Sequence, residues 1–449
     1  MARHLSKGEV AGFIYGGLGP EEWRRVVRHL LAGCRRCNRK LSPFADLLIR
    51  DEVRTDGAGD PLKDFYDQAL DRAAAKAQRY RSRHHRESAR LEHALEAARA
   101  HTAEDPPVCK EVLGLDGPTR VEALLRLSFE ERYRDPGKML LLAFSAKTAA
   151  ESLDPAEHGV TIVADLRARA VAELGNALRV KDEWKLAEEA LISAHKLAAE
   201  GTGDLLLSAR MADIMASLYT DRRLLGEALD MLEIAHRIYR QAGDRHLAGR
   251  VLISWGMTTF YDGRPREAVR LLRQGLSQID VERDPGLASA ARLGVVYALA
   301  ESGEYQEAAR LLLGSGLRQA FAADPLNLLK LRGVEGKVLA GLGKLRRAEQ
   351  ALEEALDGFL AREREYDAAL VGLELAAVWL QQGKTAEVAE MVEETIDLLH
   401  CLGFYNEGLK AALILREACR RQEATVGLVR QVRDFLTRLH WQPHLRFAV

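Results

Sequence analysis

One spacing recurs through most of this 449-residue chain. A small residue or a valine occupies a key position at a nearly constant interval, and a large aliphatic residue follows four positions later. The key residues are Ala187, Ala228, Ala268, Ala308, Ala348 and Val388, and the aliphatic residues are Leu191, Leu232, Leu272, Leu312, Leu352 and Val392. Residues four apart share one face of a helix, and alanine lets a second helix approach that face closely. The period therefore predicts an array of stacked helix pairs.

Two further markers carry the same period and predict where each helix ends and begins. Glycine precedes the key position by five residues in the four later repeats, and Asp182 and Arg223 take that place in the first two. Glycine there supplies the positive φ that ends a helix. Aspartates that recur at the same interval are expected to cap the next pair's first helix, with prolines following two of them. These aspartates are Asp204, Asp244, Asp284 and Asp324.

These residues resemble the tetratricopeptide repeat. The pattern Leu174-Gly175-x2-Leu178 is followed by Ala187-x3-Leu191-x2-Ala194, and Gly256 and Gly336 fall in the slot of Gly175. The resemblance implies an all-α fold, a right-handed superhelix of tetratricopeptide-like helix pairs, here with a period of about 40 residues. We expect it to fill residues 109–449, with a degenerate first pair at 120–153, six repeats over about 160–403 and a C-terminal cap at 404–449.

The N-terminal segment carries the strongest chemical signal. Pro20 opens an amphipathic helix with His29 in its last turn, Cys34 and Cys37 follow, and His4 lies upstream of this helix. Two imidazoles and two thiolates form a closed tetrahedral set that is typical of structural zinc. A redox dithiol, or two thiols without a role, are the alternatives. Oxidation of the two cysteines could also release a bound metal.

This segment resembles the zinc-binding domain of the anti-sigma-factor superfamily. The order His4-Leu5-Ser6, Phe13 to Leu18, Pro20-Glu21-Glu22, His29-Leu30 and Cys34-x2-Cys37 follows that family, although four residues separate His29 from Cys34 where three are usual. The resemblance implies Zn2+ held by His4, His29, Cys34 and Cys37 in a small helical domain at 1–45. It also implies a transcription factor, such as a sigma-like factor, as partner.

Residues 46–108 are expected to form a charged helical linker. Seven basic residues lie between Arg72 and Arg90, against the single acid Glu87. That stretch could touch nucleic acid, and the alternative is a solvated linker helix. The whole chain has 65 basic and 66 acidic residues, which argues against a general nucleic-acid binder.

Composition and motifs also limit the function. No apolar run reaches the roughly 20 residues of a membrane span, the first residues lack a signal-peptide core, and five cysteines are too few for a disulfide scaffold, so we expect a cytoplasmic protein. No phosphate-binding loop, Gly-x-Ser-x-Gly elbow or His-Glu-x2-His pair is present, and we expect no enzyme.

The expected function is regulatory binding of a peptide or protein in the groove formed by the first helix of each pair. Polar residues would line its early part and apolar residues its later part. The expected partner-binding residues are Arg169, Asn176, Arg179, Arg210, Asp213, Met257, Phe260 and Tyr297, with Ser217, Leu293, Leu370 and Leu373 beside them. Two alternatives stay open: a scaffold whose zinc domain is only a structural cap, and a nucleic-acid-associated regulator that uses residues 72–90.

Overall fold

The computed structural model describes residues 4–6, 8–9, 13, 18–31, 34, 37, 86–100, 108–132, 134–401 and 406–447. Every regular element within these ranges is a helix. The chain divides into two compact units, Met1–Leu127 and Ser128–Val449, which are described separately below. The sequence-based boundaries after residues 45 and 108 are different from this division and stay a prediction.

The first unit contains three helices with defined bounds: α1 (Pro20–Leu31), α2 (Lys110–Leu113) and α3 (Gly117–Glu131), the last of which runs on into the second unit. Residues 86–99 are also helical. Leu95 in that segment is fully buried, and the thiol of buried Cys109 lies 3.9 Å from the Ala94 carbonyl oxygen. This end of the expected linker is thus part of a packed core. Residues 46–85 and 101–107, which include most of the basic stretch 72–90, lie outside the described residues.

The second unit is a series of antiparallel helices. After α3 come α4 (Pro136–Glu151), α5 (Pro155–His158), α6 (Val160–Val180), α7 (Trp184–Ala199), α8 (Leu205–Asp221), α9 (Leu225–Ala242), α10 (Arg245–Tyr261), α11 (Pro265–Leu276), α12 (Pro285–Glu301), α13 (Tyr305–Gly314), α14 (Leu317–Ala320), α15 (Pro325–Gly341), α16 (Leu345–Leu360), α17 (Glu365–Gln382), α18 (Thr385–Cys401), α19 (Asn406–Arg420) and α20 (Val426–Trp441).

Consecutive helices pack as pairs, which we number 1 to 7. They are α6/α7, α8/α9, α10/α11, α12/α13, α15/α16, α17/α18 and α19/α20. All six key residues of the repeat are at most 1% exposed, which confirms that they face the cores between helices. We call the surface formed by the first helices of the pairs the groove face.

The predicted turns and caps are confirmed. Gly263, Gly303, Gly343 and Gly383 all have positive φ, and Asp182 and Arg223 adopt the same conformation with φ of 61° and 63°. The carboxylates of Asp204, Asp244, Asp284 and Asp324 accept hydrogen bonds from backbone N–H groups in the first turns of α8, α10, α12 and α15. Local sequence thus sets where each pair begins and turns.

The C-terminal segment differs from the single capping stretch that we expected. It forms a seventh pair, because Gln422 provides a further positive-φ turn between α19 and α20. Val429, Val432 and Leu436 of α20 are fully buried in one core with α17 and α19. The helix α20 therefore packs on α17, the first helix of pair 6, and so lies on the groove face.

Candidate functional site

The four predicted metal ligands come together in the first unit. Helix α1 places His29 in its last turn, and the ligand atoms of His4, His29, Cys34 and Cys37 all lie within 4.8 Å of one another. The His4 Nδ1 atom is 3.3 Å from the Cys34 Sγ atom and 3.8 Å from the Cys37 Sγ atom. Tetrahedral zinc places its nitrogen and sulfur ligands about 3.3–3.8 Å apart, so only a small contraction is needed.

Local contacts hold the segments that carry these ligands. Ser6 and Glu9 cap each other reciprocally, since each backbone N–H donates to the other's side chain at 2.7 and 3.1 Å. The Glu9 carboxylate also pairs with Arg25 of α1 at 2.6 Å. The rings of Phe13 and Trp23 pack with centroids 4.9 Å apart. The N-terminal segment is thereby tied to α1 near His29.

The donor set fits a metal ion. The His29 Nε2 atom is buried and has no hydrogen-bond partner among the described residues. An unpartnered buried imidazole nitrogen is unfavourable unless an ion or a proton donor meets it. Together with two sulfur atoms and a second imidazole, it matches the ligand chemistry of a closed zinc site.

In the second unit, the early groove face is a buried network of charges. Arg210 makes a two-pronged ion pair with Glu173 at 2.6 and 2.9 Å, and both Arg210 and Arg250 bind Asp213, at 2.9 and 2.6 Å. Burial alone would raise the pKa of Glu173 and of Asp213, but the neighbouring arginines outweigh it and lower both. These carboxylates therefore stay ionised.

The predicted polar partner-binding residues lie on this face, and most are paired within it. Asn176 accepts hydrogen bonds from Arg179, which also pairs with Asp221 at 2.5 Å. Arg169 lies beside Glu173 and is partly exposed. Ser217 donates to the Asp213 carbonyl oxygen and is also partly exposed. The binding role of these residues stays a prediction.

The end of α3 covers part of this network. The Phe129 ring lies under the guanidinium groups of Arg132, Arg210 and Arg250, at 3.8, 5.5 and 5.1 Å from its centroid. Arg132 also bonds to Asp284, the cap of α12, at 2.8 Å. The chain itself thus occupies the early groove face around Phe129.

The later groove face and α20 line a half-open cavity of about 640 Å³. Its walls include five of the predicted apolar residues, which come from pairs 3, 4 and 6: Met257, Phe260, Leu293, Tyr297 and Leu370. The sixth, Leu373, is 1% exposed and belongs to the core. The Tyr297 hydroxyl donates to the Lys330 carbonyl oxygen at 2.9 Å, which fixes the ring in place.

Helix α20 forms the remaining wall of this cavity. Its Arg433 binds Glu301 of α12 at 2.8 Å and Glu374 of α17 at 2.9 Å, and Lys337 of α15 bridges the same two carboxylates at 2.6 and 2.9 Å. Burial alone would raise the pKa of Glu301, but Arg433 and Lys337 lower it to about 2. We call these four residues the charge cluster.

The last turn of α20 is held by aromatic contacts. Trp441 stacks on Tyr261 of α10 with centroids 3.7 Å apart, and His440 stacks on Tyr366 of α17 at 4.6 Å. Arg223, in the turn of pair 2, donates to the His440 carbonyl oxygen. Helix α20 therefore crosses the groove face from pair 6 to pair 2.

Sequence reasoning missed the residues that close the groove. Glu301, Lys337, Glu374 and Arg433 look like ordinary charged positions on amphipathic helices, and nothing in their spacing marks them as partners. One signal was available, because an arginine between the apolar residues of α20 would have to be paired inside the protein.

The fold and site define an all-helical repeat protein of the tetratricopeptide-like class, with a cavity on its groove face. No family of known proteins matches the chain, and no curated protein matches it. Among solved structures, a Rap protein complexed with competence and sporulation factor is similar, with TM-score 0.53 and 11% identity over 73% of this chain and 88% of that chain.

Two other solved structures are similar at lower scores. NprR in complex with its cognate peptide NprX has TM-score 0.49 and 15% identity, over 66% of this chain and 83% of that one. The apo form of RapI has TM-score 0.46 and 15% identity, over 63% and 98%. The likeness to the Rap protein is a likeness of fold, and it confirms the tetratricopeptide-like class. No helix in the described part of the chain is long and apolar enough to cross a membrane.

Proposed function

We propose that this chain is a cytoplasmic, non-enzymatic regulatory protein whose groove face binds a peptide or protein partner. The observation that carries this proposal is the early groove face, where the partly exposed Arg169 and Ser217 lie at the edge of a buried network of charges. A network that holds polar side chains in place gives a partner a preformed surface. The similar Rap structure was solved as a complex with competence and sporulation factor, which supports a binding role for this fold.

The partner would meet the open part of the groove face, on pairs 1 to 3. Arg169 and Ser217 are partly exposed there, at the edge of the buried network. Four predicted residues would shape this surface from beneath, because their polar groups already bind one another or neighbouring side chains: Asn176, Arg179, Arg210 and Asp213.

A photo-crosslinking amino acid at position 169 or 217 tests this proposal in cells. We expect each position to give a discrete cross-linked protein or peptide, identified by mass spectrometry. The matched control is position 192, because Ile192 is 48% exposed on α7, the second helix of pair 1. Identical products from positions 169, 217 and 192, or none from the first two, would contradict binding on the groove face.

We also propose that His4, His29, Cys34 and Cys37 hold one structural zinc ion. Four protein ligands leave no open position for catalysis. The ion would instead stabilise the fold of a segment that is too short to form a hydrophobic core of its own. Elemental analysis should find one zinc per chain, and Cys37→Ser should lose it. Cys109→Ser is the control, since buried Cys109 lies outside the cluster and its variant should keep the metal. Absence of zinc from the unaltered chain would end the assignment.

The identity of the partner is the finer part of the proposal. The resemblance of the zinc segment to anti-sigma factors supports a sigma-like transcription factor. A two-hybrid assay against sigma-like factors should give a signal that Cys34→Ser abolishes while photo-cross-links from position 169 persist. If the signal survives in a folded Cys34→Ser chain, the zinc segment is only a structural cap. Salt-dependent DNA binding that disappears when Arg79, Arg81 and Arg83 are neutralised would favour the nucleic-acid alternative.

A further inference from the structure

The cavity under α20 is separate from the open surface assigned to the partner. Buried apolar residues anchor helix α20 beside it, since Val429, Val432, Leu436 and Leu439 are each 0% exposed. Removing four such side chains from a core would cost several kcal/mol. Helix α20 is therefore a fixed wall, and an occupant of the cavity must fit the space that remains.

The size and lining of that space indicate a small molecule. Its volume of about 640 Å³ lies within the range of sites that enclose drug-sized ligands. Phe260, Tyr297 and Trp441 give it aromatic walls, and Met257 and Leu293 give it aliphatic ones. Between Arg433 and Trp441, helix α20 lines the cavity with the small Thr437 and with His440, whose ring stacks on Tyr366.

One lining residue has a polar atom without a hydrogen-bond partner among the described residues. Arg433 has a side chain that is 9% exposed, and its two terminal nitrogens bind Glu301 and Glu374. Its Nε atom is buried and makes no hydrogen bond to any described residue. A buried guanidinium N–H without an acceptor is unfavourable, and an oxygen atom of a ligand would satisfy it.

The charges around Arg433 indicate whether the ligand oxygen belongs to a charged or an uncharged group. Three carboxylates, Glu301, Glu374 and Asp434, already face two cations, Lys337 and Arg433. A ligand carboxylate would add a fourth negative charge without a counterion, which is strongly unfavourable. An uncharged carbonyl oxygen accepts the same hydrogen bond without that penalty.

We propose that the cavity between α20 and the groove face binds an uncharged small molecule with an apolar body and a carbonyl oxygen that accepts from Arg433 Nε. The ligand lies across Phe260, Leu293 and Tyr297, with its polar end at the charge cluster. The proposal goes beyond partner binding, because it uses pairs 3 to 6 and α20, whereas the partner surface lies on pairs 1 to 3.

The test uses the full-length chain and the uncharged naphthyl ketone dye PRODAN. We expect saturable one-to-one binding, a blue-shifted emission, and energy transfer from tryptophan that Trp441→Phe reduces. The anionic naphthalene sulfonate dye ANS should bind at least about tenfold more weakly, because its charge has no counterion in the cavity. Stronger binding of ANS than of PRODAN would overturn the assignment of an uncharged ligand.

Two variants locate the dye. Thr437→Trp fills the centre of the cavity and should weaken PRODAN binding by about tenfold or more, because the apolar surface available to the dye is lost. Leu360→Trp is its control, since Leu360 is 44% exposed on α16. Unfolding curves like that of the unaltered chain show that both variants are folded. Unchanged PRODAN affinity in a folded Thr437→Trp chain would place the dye elsewhere and overturn the proposal.

Arg433→Lys tests the hydrogen bond itself. Lysine keeps a positive charge beside Glu301 and Glu374 but has no Nε donor. The unaltered chain should prefer PRODAN over the same dimethylaminonaphthalene without its acyl group by roughly fivefold or more, as for one hydrogen bond to a charged donor. Arg433→Lys should abolish that preference, and an unchanged preference would contradict the role of Nε. The outcome is independent of the cross-linking at position 169, so either proposal can fail alone.

Discussion

The indole of Trp441 stacks on the ring of Tyr261 with centroids 3.7 Å apart and planes 13° from parallel. This contact joins the last turn of α20 to the last turn of α10, across the groove face. Gln442 extends the same junction toward Asp262, at 3.5 Å. The position of α20 therefore depends on pair 3 as well as on the core that it shares with α17.

Trp441→Ala is expected to loosen the end of α20 without unfolding the array. Loss of the stacked contact and of the buried indole area should weaken docking by about 2 kcal/mol, which makes amide exchange in residues 436–441 about 30-fold faster. Hydrogen exchange measured by mass spectrometry checks this. The matched control is Trp184→Ala, because Trp184 is 36% exposed on α7 and should leave α20 unchanged. Equal exchange in the two variants would show that the stack does not hold the helix.

Docking of α20 is expected to weaken in acid. Burial and the nearby Arg223 lower the pKa of His440 to about 4, although Asp367 acts in the opposite direction. The unfolded segment, with a pKa of about 6.5, binds more protons between those values. The stability contributed by neutral His440 is therefore complete above about pH 6.5 and is lost as the pH falls toward 4. Glu301 adds a second loss below about pH 4.5, as the pH approaches its pKa of about 2.

The variant His440→Gln distinguishes the stability lost through His440 from that lost through Glu301. When amide exchange in α20 is measured as a function of pH, the glutamine variant should lose the change in exchange rate between pH 6.5 and 4. It should keep the change below about pH 4.5 that Glu301 causes. Tyr366, Trp441, Arg223 and Asp367 are the groups that face His440, and the variant leaves them in place. The exposed His444 provides the control variant His444→Gln, which should titrate like the unaltered chain. A His440→Gln profile identical to that of the unaltered chain would contradict this role.

The sequence predicts the array well because its information is local and repeated. A glycine at 263, an aspartate at 244 and an alanine at 268 each act within a few residues of themselves, so the period is enough to place them. Asp182 keeps the positive φ without glycine, since the turn is set by the helices on either side. The grouping of His4, His29, Cys34 and Cys37 could be predicted for the same reason, because their spacing and flanking residues belong to one short segment.

The closure of the groove could not be predicted from these patterns. Arg433 and Glu301 are in contact although they are 132 residues apart in the sequence, and Gln442 and Asp262 are 180 residues apart. Such pairings depend on the direction that α20 takes after the turn at Gln422, which the repeat period does not encode. The apolar residues of the groove were identified as a set, whereas the wall that turns them into a cavity was not.

Gly336→Ala is expected to destabilise the array, because the glycine slot brings two helices into contact. A Cβ atom at position 336 would lie 2.6 Å from Leu352 Cγ, and one at position 256 would lie 2.7 Å from Leu272 Cγ. Forcing an extra carbon into such a core typically costs about 1–3 kcal/mol. Gly226→Ala is the matched control, since nothing lies within 4 Å of a Cβ there and alanine is a better helix former than glycine. The urea midpoint of unfolding should therefore shift in opposite directions for the two variants. A shift in the same direction would contradict the packing argument.

Asp213→Asn is expected to be among the most destabilising single changes on the groove face. Asp213 is 4% exposed and forms ion pairs with Arg210 at 2.9 Å and Arg250 at 2.6 Å. The neutral amide of asparagine would therefore leave two buried guanidinium groups without one of their negative partners. Breaking a buried ion pair from one side costs about 3–5 kcal/mol. Glu233→Gln is the control, because the Glu233–Arg237 pair is 59% and 58% exposed and such surface pairs contribute about 0–1 kcal/mol. Thermal unfolding followed by circular dichroism checks both, and a loss no greater than that of Glu233→Gln would show that Glu173 alone balances the two arginines.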